Sequence, residues 1–196
     1  MTPEIRAFEF SLGLFSVLIG LAIADVAASF HRLIGHRQPV RWDPLTLLAA
    51  LFSLIIAVGM WFDLWGIRKA TSVRHFFAYL GLVAMFFVLF LAAASSLPDE
   101  AEGPLDLRDH YERNRRYFWS LITIFELVYV AFGVHFLMSE VERVPRVFIV
   151  IVVAQWAVLV VTPAMLALVR SRGFHYVGLA LLYLAILAHY APYSIN

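Results

Sequence analysis

Apolar residues run along this chain in blocks of roughly twenty, the length an α-helix needs to cross the hydrocarbon core of a bilayer. A buried strand would take only about four to eight. The first block, Phe8 to Ile34, closes on the basic turn from His31-Arg32 to His36-Arg37, and Pro39 to Pro44 links it to a second, Leu45 to Ile67. A short connection, Arg68 to Arg74, leads to the third, His75 to Leu97, which Pro98 ends. The pattern then breaks into the charged segment 99–116. There Asp109/Arg113 and Glu112/Arg116 stand four apart with the acid first, as an exposed helix prefers. This predicts an amphipathic surface helix from about Leu105, running into a fourth span, Tyr117 to Met138, whose opening Tyr117-Phe118-Trp119 suits the aromatic belt at headgroup level. Val147 to Val169 is the fifth span. The tight turn Arg170-Ser171-Arg172-Gly173 makes it an antiparallel hairpin with the sixth, Phe174 to Ala191. The expected fold is all-α: a polytopic membrane helix bundle of about six transmembrane helices with one surface helix between spans three and four. It forms a single transmembrane domain over residues 1–196, with the charged loop 99–116 inside it.

Composition agrees with lipid as the solvent. The chain is 62% hydrophobic and 15% charged, against about half and about a quarter in a soluble domain. The first block is too long for a signal-peptide core and has no convincing cleavage site. A net charge of +1 without a basic, aromatic-lined stripe excludes nucleic acid as a partner. With no cysteine there is no disulfide, no thiolate nucleophile and no Cys-based zinc or iron–sulfur site. Basic residues are almost all Arg and Ala is abundant, a bias of GC-rich bacterial genomes, so a bacterial inner membrane is the expected location. Loops one, three and five hold Arg32, Arg37, Arg41, Arg108, Arg113, Arg115, Arg116, Arg170 and Arg172. The other side holds Arg6, Arg68, Lys69, Arg74, Arg143 and Arg146. This excess places both termini outside the cell by the positive-inside rule. Of the three-plus-three repeat common in transporters there is only the echo of Phe8-Glu9-Phe10 in Phe125-Glu126-Leu127, which chance explains.

An acid inside a span is a functional hypothesis by default, because lipid does not solvate a carboxylate. Asp25 lies two thirds along span one, and Glu126 lies near the middle of span four with Thr123 and Tyr129 one turn to either side. Each must be protonated, hydrogen-bonded or neutralised by a passing cation. The plainer alternative is an acid that only fixes helix packing. The expected ion pathway comprises Asp25, Glu126, Thr123, Tyr129, Ser11 and Gln155. Glu9, Asp63 and Glu140 sit near span ends, where interfacial water or a neighbour such as Arg6 or Arg68 suffices. Ser16, Gly20, Ala24 and Ala28 form a small-residue seam that allows close backbone approach, to another span or to a second subunit. No metal ligand set and no catalytic residue is expected: Ser/His/Asp order, HExxH, a phosphate loop and an EF-hand are all missing. An enzyme is the less favoured class. A bis-histidine haem would need a buried pair, for which His135 with His31 or His189 are the candidates, although interfacial histidines are the ordinary case. The Thr162-Pro163 step in span five frees a backbone carbonyl, which kinks a helix or faces a cavity.

Span one reads Phe10-Ser11-Leu12-Gly13-Leu14-Phe15, which resembles the Phe-Ser-Asp signature of the six-helix bacterial relatives of the lysosomal potassium channel. Phe10, Ser11 and Gly13 carry the resemblance, and Leu12 stands where the motif has Asp. It implies a homo-oligomer whose first helices line a pore, with the N-terminus inside, opposite to the charge count. The pattern Asp106-Leu107-Arg108, His110-Tyr111 and Arg115-Arg116-Tyr117-Phe118 is similar to small uncharacterised bacterial six-helix membrane proteins and implies no activity. The expected function is a homo-oligomeric cation channel or proton-coupled permeation protein. A non-catalytic subunit or scaffold presenting loop 99–116 to a protein partner is the alternative, and a haem or quinone redox protein is the third.

Overall fold

Each helix begins or ends where the local chemistry dictates. Helix α1, Pro3–Ile34, stops at Gly35, whose N–H still reaches the His31 carbonyl at 3.0 Å. Helix α2, Pro44–Gly66, starts with Pro at its first position, where a missing N–H costs nothing, behind an Asp43 N-cap. The Asp43 carboxylate accepts the Thr46 N–H at 3.1 Å and the Thr46 hydroxyl at 3.0 Å. Helix α3, Phe76–Ser95, ends where Ser95 and Ser96 turn their hydroxyls back onto the Ala92 and Ala93 carbonyls, two residues before Pro98. Helix α4, Leu107–Glu140, is capped by Asp106, which accepts the N–H groups of Arg108 (2.8 Å) and Asp109 (3.2 Å). Helices α5, Arg146–Leu168, and α6, Arg172–Tyr190, are joined by the tight turn expected between them. The computed structural model describes residues 3–66, 76–99, 104–140 and 146–191. The link Arg68 to Arg74 and residues 100–103 of the charged loop lie outside the described residues, as does the Ser11 side chain.

All six helices are long and apolar enough to cross a membrane. The 23 residues of α2 and of α5 rise ~35 Å at 1.5 Å each, which covers the hydrocarbon core. The chain is a multi-pass membrane protein. Helix α2 is the most enclosed, touching α1, α3, α4 and α6, while α4 packs against α2, α3 and α5. The core between them is aromatic: Phe15, Phe52, Phe86, Trp119 and Phe125 are all fully buried. Outward-facing residues such as Phe77, Val150, Leu168 and Leu187 remain exposed, with lipid as their partner. Lipid tails are as apolar as these side chains, so close packing and polar contacts, rather than water exclusion, hold the helices to one another.

The polar contacts gather at two levels. On the face carrying the first, third and fifth connections, a two-residue parallel ladder joins β1, Val40–Arg41, to β2, Leu105–Asp106, and Arg41 pairs with Asp106 at 3.0 Å. Strands this short have no periodicity, so this pairing could not be read from the chain's pattern. Arg172 bridges the Asp43 cap and Glu112, and Arg32 pairs with Asp99 at 3.1 Å. Buried Arg115 donates to the carbonyls of Leu166, Ala167 and Val169, closing the open end of α5. His175, also buried, lies 2.6 Å from the Tyr111 hydroxyl and 2.9 Å from the Val169 carbonyl, and Trp119 donates to the Tyr111 hydroxyl at 2.9 Å. A carbonyl only accepts and an indole N–H only donates, so one arrangement satisfies the whole chain: Nε2–H to Val169, and Nδ1 accepting from Tyr111.

Two expectations change here. The surface helix is the first three turns of α4, and one side of it is not exposed: Leu107, Tyr111 and Arg115, at four-residue spacing, are buried. Asp109 pairs with Arg113 as expected (2.9 Å). Glu112 instead binds Arg172 of α6, because that side of α4 faces the bundle.

Candidate functional site: the Glu126 cavity

Near the middle of α4, the inward stripe that carries Ile122 and Phe125 also carries Glu126, which is 3% exposed. Among the described residues its carboxyl has no hydrogen-bond partner. It lines a cavity of about 20 Å³, room for one water molecule. Ile56 and Met60 of α2, Phe125 and Tyr129 of α4, Leu159 of α5, and Ile186, His189 and Tyr190 of α6 complete the lining. Pro163, inside α5, has no N–H to offer the Leu159 carbonyl four residues before it.

One turn nearer the chain termini stands Asp63 of α2, on which three donors from two other helices converge. Tyr129 donates to Asp63 Oδ2 at 3.2 Å and Tyr190 to the same oxygen at 2.8 Å. His189 Nε2 lies 3.3 Å from Asp63 Oδ1 and 3.2 Å from the Tyr129 hydroxyl. The ring of Tyr190 reaches Asp63 by lying against the backbone at Gly59, one turn earlier on α2, where any Cβ would collide with it. The side chains of His189 and Asp63 are 24% and 12% exposed, while Glu126 is buried. Phenols, an imidazole and a carboxylate thus lead from the end of the bundle to an isolated buried acid, an arrangement suited to holding one small cation or proton.

The other expected site residues are distributed elsewhere. Thr123 is beside Glu126 in sequence, but its hydroxyl is bonded to the Trp119 carbonyl of its own helix at 2.7 Å. Gln155 ties α5 to α6 through the Ala185 carbonyl (3.0 Å). Asp25 is near the opposite end of the bundle, one turn from Ser29, which binds Asp99 together with Arg32. Its Oδ2 is buried with no partner among the described residues, and the structure does not bring it to Glu126. In the seam, Ser16 bonds to the Leu12 carbonyl of its own helix, while Gly20, Ala24 and Ala28 are exposed. A Cβ on Gly20 would meet nothing, so among the described residues no other helix packs on the seam there.

No family model, no curated protein and no solved structure matches this chain. For haem ligation, His31 and His135 are exposed near opposite ends of the bundle, and His189 Nε2 is engaged with Asp63 and Tyr129. Among the described residues no group of three or more His, Asp or Glu is placed to share a metal ion. Asp63 is the residue of this candidate site that the sequence did not single out. Its place near a span end suggested interfacial water or a basic neighbour such as Arg68, which lies outside the described residues; its described partners come from positions 66, 126 and 127 residues away. The usable signal was topological, since the ends of spans two, four and six share one face and carry Asp63, Tyr129, His189 and Tyr190.

Proposed function

We propose that the protein is a cation-permeation protein of the bilayer in which Glu126 is the group that meets the ion. The observation that carries this reading is a carboxyl buried in mid-span with no hydrogen-bond partner among the described residues, lining a water-sized cavity. An acid there serves packing poorly, because burying it unpaired costs several kcal/mol or a proton. The graded exposure through His189 and Asp63 supports access from the face that holds the chain termini. The exposed seam of α1 supports assembly of several copies through their first helices. The scaffold alternative draws less support, since the described acids Asp99, Asp106, Asp109 and Glu112 are all paired within the chain.

The test is flux through liposomes holding purified protein, compared with empty liposomes. Wild-type vesicles are expected to dissipate an imposed cation or proton gradient, and Glu126→Gln, one atom different in shape, is expected to return the rate to that of empty vesicles. Wild-type vesicles as tight as empty ones, or flux unaltered in Glu126→Gln, would overturn the reading.

A further inference from the structure

The cavity also bears on which cation it takes. A metal ion entering it must replace its hydration shell with protein oxygens, as potassium filters do with rings of backbone carbonyls. Around Glu126 few oxygens are free to do so. Helices α2 and α4 run on past Glu126, and the α6 carbonyl at Ile186 lies within its own helix, so the carbonyls level with the carboxyl are engaged in their ladders. The carbonyl freed by Pro163, at Leu159, and the last carbonyls of α6, which ends at Tyr190 on the Asp63 side of the cavity, are the exceptions. The second carboxylate, Asp63, already receives Tyr129, Tyr190 and His189, and the two phenol oxygens that donate to it are uncharged ligands one turn away from Glu126. The remaining lining, Ile56, Met60, Phe125, Leu159 and Ile186, presents hydrocarbon side chains. A proton needs none of this coordination. One carboxyl oxygen is enough, and protonation removes the charge that makes the site costly.

We propose that the species bound at Glu126 is the proton, delivered through the water-sized cavity, and that sodium and potassium are excluded. The inference rests on the permeation reading above. Among the described residues, the titratable groups facing Glu126 are Asp63 from α2, Tyr129 from α4, and His189 and Tyr190 from α6, while α5 contributes Leu159 to the lining.

Two measurements separate the outcomes. In proteoliposomes with an internal pH dye and a membrane-permeant lipophilic ion present to carry the balancing charge, a pH gradient is expected to collapse at the same rate whether the salt is sodium, potassium or N-methylglucamine, and at the empty-vesicle rate in Glu126→Gln. Glu126-dependent flux that requires sodium or potassium would overturn the proton assignment and leave the permeation reading standing. Gradients as stable as in empty vesicles for all three ions would overturn both. The second measurement needs no variant. Dicyclohexylcarbodiimide adds to a protonated carboxyl in an apolar pocket, so mass spectrometry of the wild-type protein is expected to find Glu126 modified faster as pH falls, with no protection by sodium or potassium. Protection by either metal ion, or labelling independent of pH, would overturn the proposal.

Discussion

Gly59 is a residue whose importance lies in what it lacks. The Tyr190 ring occupies the space where a side chain would begin, and from there its hydroxyl reaches Asp63. Gly59→Ala forces the ring out, since the atoms it meets belong to a rigid aromatic rather than to the end of a flexible chain. Overpacking of this kind costs about 1–3 kcal/mol, so Gly59→Ala should lower the thermal midpoint in detergent by several degrees. An unchanged midpoint would show that α6 accommodates the methyl by shifting. At this scale Glu126 was legible in the sequence because an acid among Phe125, Leu127 and Val128 has no bland reason to be there. Asp63 was not, because hydroxyls and an imidazole contributed by other helices leave no trace in its own neighbourhood. Asp25 and Glu126 looked alike as intramembrane acids, and only the packing separates one, beside Ser29 and Arg32, from the other, beside a cavity.

Among the elements, α4 shows how a charged start is compatible with a buried helix. Asp106 caps it and pairs with Arg41. Partial desolvation would raise the Asp106 carboxyl, but the N–H groups of Asp109 and Arg108 and the Arg41 guanidinium outweigh it and hold it below the usual carboxylate range. A lowered folded value means the cap contributes in full above the unfolded value of about 3.9 and loses its contribution as pH falls through the folded value. Asn caps a helix without titrating. Asp106→Asn should therefore show a smaller loss of thermal stability on acidification through that window than wild type, and equal losses in the two proteins would remove Asp106 from the account. The element boundaries were largely legible because Pro44, Pro98 and the turn 170–173 punctuate long apolar runs. The buried side of 107–116 was present as the four-residue spacing of Leu107, Tyr111 and Arg115, but the surrounding charges masked it.

For the whole molecule, the arrangement of helices follows from short connections and six apolar runs, whereas the outward direction of the α1 seam could not be read from spacing alone. That direction is testable, because the chain contains no cysteine. Ala24→Cys, on the exposed seam, should form a disulfide-linked dimer in native membranes under mild oxidation, while Val153→Cys, exposed on α5, should not. Equal cross-linking at both positions, or none at Ala24→Cys, would argue against assembly through α1.

The ladder between Val40–Arg41 and Leu105–Asp106 and the Arg172 bridge from Asp43 to Glu112 stitch the three turns of one face into a single plate. At the other end, the described fastening of α2, α4 and α6 is the knot of side chains around Asp63. Among the described residues, α2, α4 and α6 thus meet in polar contacts at both ends, and Asp63 is the acceptor on which the side chains of the second meeting converge. Removing its charge, as in Asp63→Asn, is therefore expected to loosen that end of the bundle and leave the plate intact.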